Sequence, residues 1–397
     1  MQTRVLTDAD ADRAFALGAE AFASAPPGAR REPAEVPAWR TNVGVVDDDG
    51  AVVAKASGLR FSSWWHGAAL PTLGVASVVV GAEHRGRGLL AGMLQALLED
   101  GATHGEGVSM LYPTAAGIYR SLGWEVFASY DTVELPTAAL ARVRPPADVR
   151  TRRAGPEDLP AVRSTWTAWA RHHDGPLTRD GAAFEETPDE MLAEQHGITL
   201  AVGPDGEAVG HAAWTRSRGY RGEGLLEVSD LVATSADGYR ALWHLLGTFE
   251  PVAPRTRLRT SGDDPARLVL PTAAWDVIER QPCMLRVDDP AGVLAAVGPA
   301  VPGLAAEVPF AVRGDRLARA DGDYRLVLRP DGPGTCERVE PSADAVVLSP
   351  QGLALAFAGV HSCATLRMLG HLAGPDAHDA VLDAVLGGRQ AHVRDYF

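Results

Sequence analysis

One stretch in the first quarter of the chain, Leu73 to Leu98, joins an apolar run to an amphipathic run through a loop of arginines and glycines. The valine-rich segment LGVASVVV lies between Pro71 and Gly81 and is typical of a buried strand. A helix is predicted to follow, because apolar residues recur on one face: Leu89, Leu90, Met93, Leu94, Leu97 and Leu98. The first turn of a helix attracts anions through its unpaired N–H groups and its dipole. The stretch therefore predicts an α/β unit that binds a phosphate-bearing ligand in the loop EHRGRG.

The loop narrows the choice of ligand. Gly86 and Gly88 permit a close backbone approach, while Arg85 and Arg87 add positive charge. The motif GxxxxGK[ST] of nucleotide hydrolases is absent, and the spacing GxGxxG is not met. The pattern that fits is R-x-x-G-x-[GA], with Leu90 in place of the usual small residue. It resembles the pyrophosphate loop of the GCN5-related N-acetyltransferases (GNAT), which hold acetyl-CoA; the alternative is a solvated basic turn.

The next segment strengthens this resemblance. GVSMLYP, ending at Pro113, predicts a second short strand, and YRSLGW, from Tyr119 to Trp124, resembles the Y-x-x-x-G-[FW] element of the same family. In that family the tyrosine lies on a short helix and faces the thioester. The order strand, phosphate loop, helix, strand, tyrosine helix, strand favours an acetyltransferase domain.

The middle of the chain repeats the first part. The segment DLPAVRSTWTAWA, which begins at the end of the proline- and arginine-rich stretch Arg142–Pro160, predicts a helix, and Leu225–Leu246 predicts a strand, a turn and a helix. VVGAEHRGRGLLAGML and LVATSADGYRALWHLL align without a gap, with Val79 over Leu231. Asp237 then stands in place of Arg85, and Arg240 in place of Gly88, so the second copy keeps the fold pattern without the anion loop. We expect no packed element in the stretch Arg142–Pro160 itself.

The last third predicts a third module. VPFAVRG, DYRLVLRPDG and the segment from Cys336 to Gly359 are interpreted as strands, and ATLRMLGHLAG as a helix. This layout resembles a sterol-carrier-protein-like domain. The whole chain, including Leu90, the tripeptide GIY that ends at Tyr119 and an aromatic last residue, resembles the enhanced intracellular survival (Eis) acetyltransferases of actinobacteria. The resemblance implies an α/β (α+β) protein with a catalytic GNAT domain (1–145), a degenerate GNAT-like domain without a cofactor loop (146–286) and a sterol-carrier-protein-like α/β domain (287–397), whose C-terminus returns to the active site.

The resemblance also implies the residues of the site. The cofactor-binding positions are Val78, Val79, Val80, Arg85, Gly86, Arg87, Gly88, Leu89, Leu90, Ala91, Thr114 and Ala115. Tyr119 matches the general acid that donates a proton to the departing thiolate, and the α-carboxylate of Phe397 matches the family's base. An α-carboxyl group titrates near ~3.5 and is a weak base, so a water relay or a purely electrostatic role fits equally well. The proton path is left open.

The acceptor pocket is less determined. Phe22, Trp39 and Tyr396 match substrate positions, and Trp64 and Trp65 are expected near them. Acidic residues that bind polycationic antibiotics in relatives are replaced here by Ser24 and Tyr396, although Glu32, Glu35 or Asp395 could compensate. The prediction is direct transfer of an acetyl group to a primary amine of a small cationic molecule of aminoglycoside or polyamine type. The alternatives are acetylation of protein lysines and a non-catalytic sensor that binds CoA or an apolar ligand.

Charge and cysteine content set further expectations. The net charge of −14 argues against nucleic-acid binding and favours cationic partners. The chain has neither the apolar core of a signal peptide nor a run of about 18 apolar residues.

The pair His172–His173 is interpreted as a solvated helix end rather than a metal site. We expect a cytoplasmic, metal-free protein, and the resemblance implies a homo-oligomer, a hexamer built as a trimer of dimers. Three cysteines without CxxC spacing fit a reducing compartment: Cys283, Cys336 and Cys363.

Overall fold

A computed structural model describes residues 1–23, 26, 35–219, 223–296, 304–330 and 332–397. The helices within these ranges are α1 Ala11–Phe22, α2 Leu89–Thr103, α3 Ala116–Arg120, α4 Thr137–Ala141, α5 Leu159–Ala170, α6 Pro188–Ala193, α7 Ala236–Gly247, α8 Pro290–Ala296, α9 Pro350–Phe357, α10 Cys363–Met368 and α11 Asp379–Leu386. The strands are β1 Gln2–Val5, β2 Arg40–Val46, β3 Val52–Trp65, β4 Ala68–Val80, β5 Val108–Leu111, β6 Glu125–Pro136, β7 Arg150–Arg153, β8 His173–Asp174, β9 Gly197–Val202, β10 Ala208–Arg216, β11 Leu225–Ala233, β12 Arg255–Thr260, β13 Asp276–Val287, β14 Ala306–Val312, β15 Gly322–Arg329, β16 Gly332–Arg338, β17 Val346–Leu348, β18 Leu372–Ala373 and β19 Gln390–Ala391. None of these helices is long and apolar enough to cross a membrane.

A twelve-stranded sheet runs through the two repeated units without interruption. Its order is β1-β2-β3-β4-β5-β13-β6-β12-β11-β10-β9-β7. β13, which lies in the segment assigned by sequence to the second unit, is inserted between β5 and β6 of the first unit and pairs antiparallel with both. β6 pairs in turn with β12 of the second unit. The two units therefore share their central strands instead of meeting at a surface.

The two units carry the same irregularity at equivalent positions. In the first unit the register between β3 and β4 shifts so that β4 has one extra residue, and Ser77 there has a φ of +51°. In the second unit Ala213 pairs with Asp230 while Trp214 pairs with Val228, so that Ser229 of β11 is the extra residue. When the gapless alignment is continued two residues upstream of Val79, Ser77 lies over Ser229, so the sequence repeat corresponds to a structural repeat.

The third module packs a five-stranded sheet, ordered β16-β15-β14-β17-β18, against α9 to α11. Stacked rings of Phe310 and Tyr324, with centroids 5.0 Å apart, lie in its core with the fully buried Phe357. Its attachment to the first unit includes the buried Arg286, which binds Asp288, Asp315 and the carbonyl of Leu122.

Several local predictions were wrong. Arg150–Arg153 forms the edge strand β7 inside the stretch where no packed element was expected, because it pairs antiparallel with β9. Pro350–Phe357 is the helix α9 rather than a strand, and the side chain of Ser349 caps it by accepting the N–H of Gly352. His173 is buried and stacks on Trp169 at 4.1 Å between ring centroids, so it is not a solvated helix end.

Candidate active site

The first unit opens a cleft in its sheet between β4 and β5. These parallel strands pair only from Thr72 with Val108 to Gly74 with Met110, whereas β4 continues to Val80. The extra residue at Ser77 lies in the part of β4 beyond the pairing, and a bulge leaves backbone groups without a ladder partner. Val78, Val79 and Val80, predicted to contact acetyl-CoA, therefore lie along one open side of the cleft.

The predicted phosphate loop lies at the end of β4. Residues 85–88 are exposed, and Gly86 and Gly88 have φ angles of +75° and +74°, a conformation that favours glycine. A Cβ atom built on either glycine would meet none of the described residues within 4 Å, so they leave the space beside the loop open. Among the residues that the structure describes, Arg85 and Arg87 bond only to backbone carbonyls, those of Val80 and Glu83. The loop thus presents two exposed cations and a helix N-terminus to the same space, and Leu89 to Ala91 form the half-buried start of α2.

Tyr119 lies on the short helix α3, which follows β5. Its ring is buried and meets Trp124 edge to face at 6.3 Å, in the same apolar cluster as the predicted cofactor positions Val78, Val80, Leu89, Leu90 and Ala91. Burial raises the pKa of the Tyr119 phenol to about 12, so the phenol keeps its proton at neutral pH. Thr114 and Ala115, at the start of this helix, are exposed.

The last residues of the chain return to the point where β4 and β5 separate. The ring of Phe397 packs on Phe61 at 5.1 Å and on Tyr112 at 5.3 Å, and Tyr396 packs on Tyr112 at 4.6 Å. The Tyr112 hydroxyl donates a hydrogen bond of 2.6 Å to the carbonyl of Asp395. A Cβ atom on Gly74, the last β4 residue paired with β5, would lie only 3.0 Å from the Phe397 ring. Phe397 therefore lies at the vertex of the cleft.

A cavity of about 550 Å³ opens next to Phe397, between the first unit, the second unit and the C-terminal residues. It is a size typical of small-molecule sites. Its walls carry the aromatic side chains of Trp39, Phe61, Tyr130, Trp166, Phe184, Tyr396 and Phe397. The predicted substrate residues Trp39 and Tyr396 thus share a cavity with Phe397, whereas Tyr119 does not line it.

Charged groups of the second unit form part of the cavity wall. Arg179 is paired with Asp230 and, at 2.9 Å, with Asp395, and its guanidinium lies 3.5 Å from the centroid of the Trp166 ring. Burial would raise the pKa of Asp230, but Arg179 and His211 hold it below its usual value. Burial raises the pKa of the Asp395 carboxyl despite Arg179. Of the acidic residues expected to compensate for Ser24 and Tyr396, Asp395 is thus in the cavity and already paired.

Other predicted pocket residues lie elsewhere. Trp65 is fully buried against Phe127 and Phe357, and Trp64 packs on the core of the second unit, so neither tryptophan is part of the cavity wall. The side chain of Phe22 ends α1, is half exposed and is not part of the cavity wall. Glu35 is exposed, and Ser24 and Glu32 lie outside the described residues.

The second unit has no equivalent of the phosphate loop. Residues 237–240, which align with the loop, are instead the start of α7, where Asp237 and Arg240 form an ion pair of 2.7 Å. The side chain of Ser235 caps this helix by accepting the N–H of Gly238. The N–H of Gly238 is thus already satisfied within the chain, and the loss of the loop agrees with the substitutions seen in the sequence.

Sequence reasoning missed Arg179, Asp230 and Ser77. Arg179 and Asp230 are far apart in the chain and belong to the unit that lacks the cofactor loop, so no local motif marks them. For Ser77 the sequence does contain a signal, since Ser229 occupies the corresponding position of the second copy. A bulge can be recognised there only when the pairing of the strands is known. Within the described ranges no group of three or more histidine, cysteine or acidic side chains has the arrangement of a metal site.

Comparison with known families gives three matches along the chain. Residues 2–127 and residues 175–287 each match a family described as an acetyltransferase (GNAT) domain. Residues 290–394 match the sterol carrier protein domain. The predicted tandem of GNAT folds followed by a sterol-carrier-like module is confirmed.

Individual proteins agree with this architecture. An uncharacterized N-acetyltransferase of Streptomyces avermitilis is 28% identical over 371 residues, which cover 84% of this chain and 85% of that protein. The N-acetyltransferase Eis of Mycobacterium tuberculosis is 29% identical over 240 residues, 54% of this chain and 56% of Eis. The crystal structure of a GCN5-related N-acetyltransferase from Kribbella flavida superposes with a TM-score of 0.79 at 29% identity, over 100% of this chain and 98% of that one.

Proposed function

The chain is an N-acetyltransferase with two GNAT domains and a sterol carrier protein domain, similar to the Eis-type enzymes of actinobacteria, and from this premise we propose that it transfers the acetyl group of acetyl-CoA directly to a primary amine of a small cationic molecule. The observation that carries the proposal is the position of Phe397. The ring of Phe397 lies at the vertex where β4 and β5 separate, and the same residue also lines the cavity of about 550 Å³. One residue thus touches both the cofactor cleft and the space open to an acceptor.

Acetyl-CoA is proposed to enter the cleft between β4 and β5. The exposed loop of residues 85–88 would hold the pyrophosphate through Arg85, Arg87 and the first N–H groups of α2, since the glycines leave that space free. The backbone of Val78 to Val80 would bind the pantetheine arm, and Thr114 and Ala115 would flank it. These contacts would align the thioester without a covalent enzyme intermediate.

Tyr119 is proposed to donate the proton to the departing thiolate. A donor must be protonated at working pH and held close to the leaving sulfur. Burial keeps the phenol protonated, because its pKa is raised to about 12. The pKa of an ordinary thiol is lower, near ~8.5. Transfer of the proton from the buried phenol is therefore useful only in concert with the breaking of the C–S bond.

The α-carboxylate of Phe397 is proposed to act on the incoming amine. It would hold the ammonium group by charge and accept its proton either directly or through a water molecule. The surrounding rings of Phe61 and Tyr112 exclude water from one side of this residue, and removal of water strengthens such an interaction.

The cavity supports a small acceptor. A volume of about 550 Å³ between three parts of the chain fits a small molecule better than a protein surface carrying a lysine. The aromatic walls favour cations through their ring faces. The third module has a cavity of only about 180 Å³ beside its buried aromatic core of Phe310, Tyr324 and Phe357, smaller than a typical small-molecule site, which favours acetyl transfer over the alternative of a carrier for an apolar ligand.

The proposal extends to assembly and location. By resemblance it includes a homo-oligomer, a hexamer built as a trimer of dimers, and light scattering of the purified protein would test this. The unpaired state of all three cysteines fits the proposed cytoplasmic location. The domain boundaries 1–145, 146–286 and 287–397 remain part of the proposal.

The decisive experiment measures CoA-thiol release from acetyl-CoA with kanamycin, spermidine and a lysine-containing peptide as acceptors. Native protein is compared with Tyr119→Phe and with the control Tyr324→Phe, which also removes a buried hydroxyl but lies in the third module. We expect turnover with at least one small amine, a fall in kcat of about 10²- to 10⁴-fold for Tyr119→Phe, and nearly native kcat for the control. Absence of turnover with every amine despite CoA binding would instead support the sensor.

A further inference from the structure

The second unit has a cleft in its sheet that corresponds to the cofactor cleft of the first. The parallel strands β11 and β12 pair from Leu225 with Arg255 to Val228 with Leu258. Beyond this point β11 runs on to Ala233 and β12 to Thr260, as β4 and β5 separate in the first unit. The position of the extra β11 residue, Ser229, matches that of Ser77, so the two clefts have the same origin in the repeat.

A side chain from the C-terminus fills this second cleft. Arg394 donates a hydrogen bond of 3.2 Å to the carbonyl of Leu231 on β11 and one of 3.0 Å to the carbonyl of Arg259 on β12. Its guanidinium is fully buried and pairs with Asp264 at 2.5 Å. Its Nε also donates to the ring of His392 at 3.0 Å. One planar group therefore bridges both separated strands.

The position that Arg394 takes is equivalent to a predicted cofactor position. Leu231 aligns with Val79, whose backbone is proposed to bind the pantetheine arm in the first unit. A guanidinium bonded to the carbonyl of Leu231 leaves no room for a pantetheine arm there. Together with the missing phosphate loop, this gives the second cleft a different occupant, which the chain itself supplies.

The residues after Arg394 lead straight into the first unit. Asp395 is held by Arg179, and its carbonyl accepts a hydrogen bond from Tyr112. Tyr396 and Phe397 then pack on the aromatic side chains beside Gly74. Upstream of Arg394, β19 pairs with β8 of the second unit. Arg394 is thus the last fully buried side chain before the terminal residue.

We infer that Arg394 is a positioning residue, which fills the vestigial cofactor cleft of the second unit and thereby sets where the Phe397 carboxylate lies in the active site of the first. The inference rests on the proposed function of that carboxylate. If the inference holds, the second unit contributes to catalysis by holding the C-terminal residues in place. It does so through the cleft between β11 and β12, which binds Arg394 instead of a cofactor.

The test compares Arg394→Lys with the control Arg389→Lys. A lysine keeps the charge beside Asp264, but its single ammonium group cannot span two carbonyls on separate strands as the planar fork does. Arg389 is also in the C-terminal segment and bonds a carbonyl of the second unit, that of Arg171, outside the cleft. Asp264→Asn serves as a second variant, which weakens the same anchor without altering Arg394.

Two readouts are measured on the full-length protein. The first is kcat and KM with acetyl-CoA and the most active amine of the panel above. The second is the rate at which carboxypeptidase Y releases Phe397, followed by mass spectrometry. For Arg394→Lys we expect kcat to fall about 10- to 100-fold, since a shift of about 1 Å at a reacting group costs this much. KM for acetyl-CoA should change less than about twofold and Phe397 should be released faster, with a weaker effect of the same kind in Asp264→Asn and none in Arg389→Lys.

The outcomes separate the inference from the function on which it rests. Native kcat and native Phe397 release in both cleft variants would overturn the inference. Faster release with native kcat would also overturn it, and would remove the terminal carboxylate from the proposed mechanism while leaving acetyl transfer intact. A lower melting temperature with unchanged kcat per folded molecule would show a merely structural role and overturn the inference as well. If no amine is acetylated by the native protein, the proposed function fails, and faster release in Arg394→Lys would still support the anchoring of the C-terminus in the second cleft.

Discussion

Substitution of Gly74 by alanine is expected to displace the residue proposed to act on the amine. Gly74 is the last β4 residue that pairs with β5, and it faces the rings of Phe61 and Phe397. A Cβ atom at this position would lie 2.6 Å from one carbon of Phe61 and 3.0 Å from one carbon of Phe397. Unstrained carbon contacts are about 3.5–4.0 Å, so the rings must move by roughly 1 Å.

The size of the effect follows from how the rings are packed. The ring of Phe61 packs against two other rings, with centroid separations of 5.7 Å to Phe184 and 5.1 Å to Phe397. It cannot move without pushing on one of them. Overpacking of this kind costs about 1–3 kcal/mol of folding free energy. A displacement of about 1 Å at a reacting group lowers the rate by up to ~100-fold. We therefore expect Gly74→Ala to lower kcat by about 10- to 100-fold and to leave KM for acetyl-CoA within about twofold of native.

The assay is steady-state CoA-thiol release, with urea unfolding of the same preparations. Gly92→Ala is the matched control, since of the described residues a methyl group there would meet only the Thr3 hydroxyl, at 4.0 Å. In Gly74→Ala, the additional change Phe61→Leu removes the closest ring and should recover part of the lost kcat, a coupling that a double-mutant cycle measures. A native kcat in Gly74→Ala, at the expected loss of stability, would refute the idea that the position of Phe397 matters for turnover.

Three further measurements address other parts of the molecule. Gly88→Val should raise KM for acetyl-CoA about tenfold or more with a smaller change in kcat, because a branched residue disfavours the φ of +74°. A titration of the rate with acetyl-CoA measures this change in KM. Burial raises the pKa of Tyr119 to about 12, so the profile of kcat against pH should show no basic limb from this group below about pH 10. Burial lowers the pKa of His173 to about 4, so its stabilising effect is complete above pH 6.5 and is lost between pH 6.5 and 4, on the order of 3 kcal/mol. Urea unfolding at pH 7, 5.5 and 4.5 should show this loss in the native protein and a smaller one in His173→Gln.

Each of these has a contrary result. An unchanged KM in Gly88→Val would place the pyrophosphate elsewhere. A basic limb centred between pH 8 and 10 that disappears in Tyr119→Phe would mean that the phenol is more acidic than its burial implies. Equal acid sensitivity of the native protein and His173→Gln would show that another group takes up the proton.

The local parts of the site could be predicted from the sequence because their signals are local. The loop at Arg85–Gly88 lies between a clear strand and a clear helix, and its glycines have the positive φ angles that such a turn needs. The loss of this loop in the second copy could also be predicted, from Asp237 and Arg240 alone. In these cases a few neighbouring residues determine the backbone, so spacing and residue type are sufficient.

The rest depends on contacts between distant segments. Arg179 and Asp230 pair within the second unit, and they become part of a cavity wall only where residues of the first unit and of the C-terminus complete the cavity, an arrangement that no spacing in the chain encodes. Trp64 and Trp65 look like pocket residues by type, but Trp65 is fully buried against two distant phenylalanines. The sequence around His173 is typical of an exposed helix end. In the structure His173 is buried, and it lies in the strand β8, which pairs with the distant strand β19. Burial of this kind follows from the topology of the shared sheet rather than from any local pattern.

The insertion of β13 between β5 and β6 has a consequence for how the protein folds. Met284 pairs with Leu111 and Cys283 with Ala128, so the first unit cannot complete its sheet before a strand from the far end of the second unit arrives. Pairing across such a sequence separation pays its loop-closure entropy early and is slow. Until it is complete, β5 and β6 expose unpaired edges that invite association with other chains. The two units should therefore unfold together in one transition, and a fragment of residues 1–145 should aggregate instead of folding as an independent acetyltransferase.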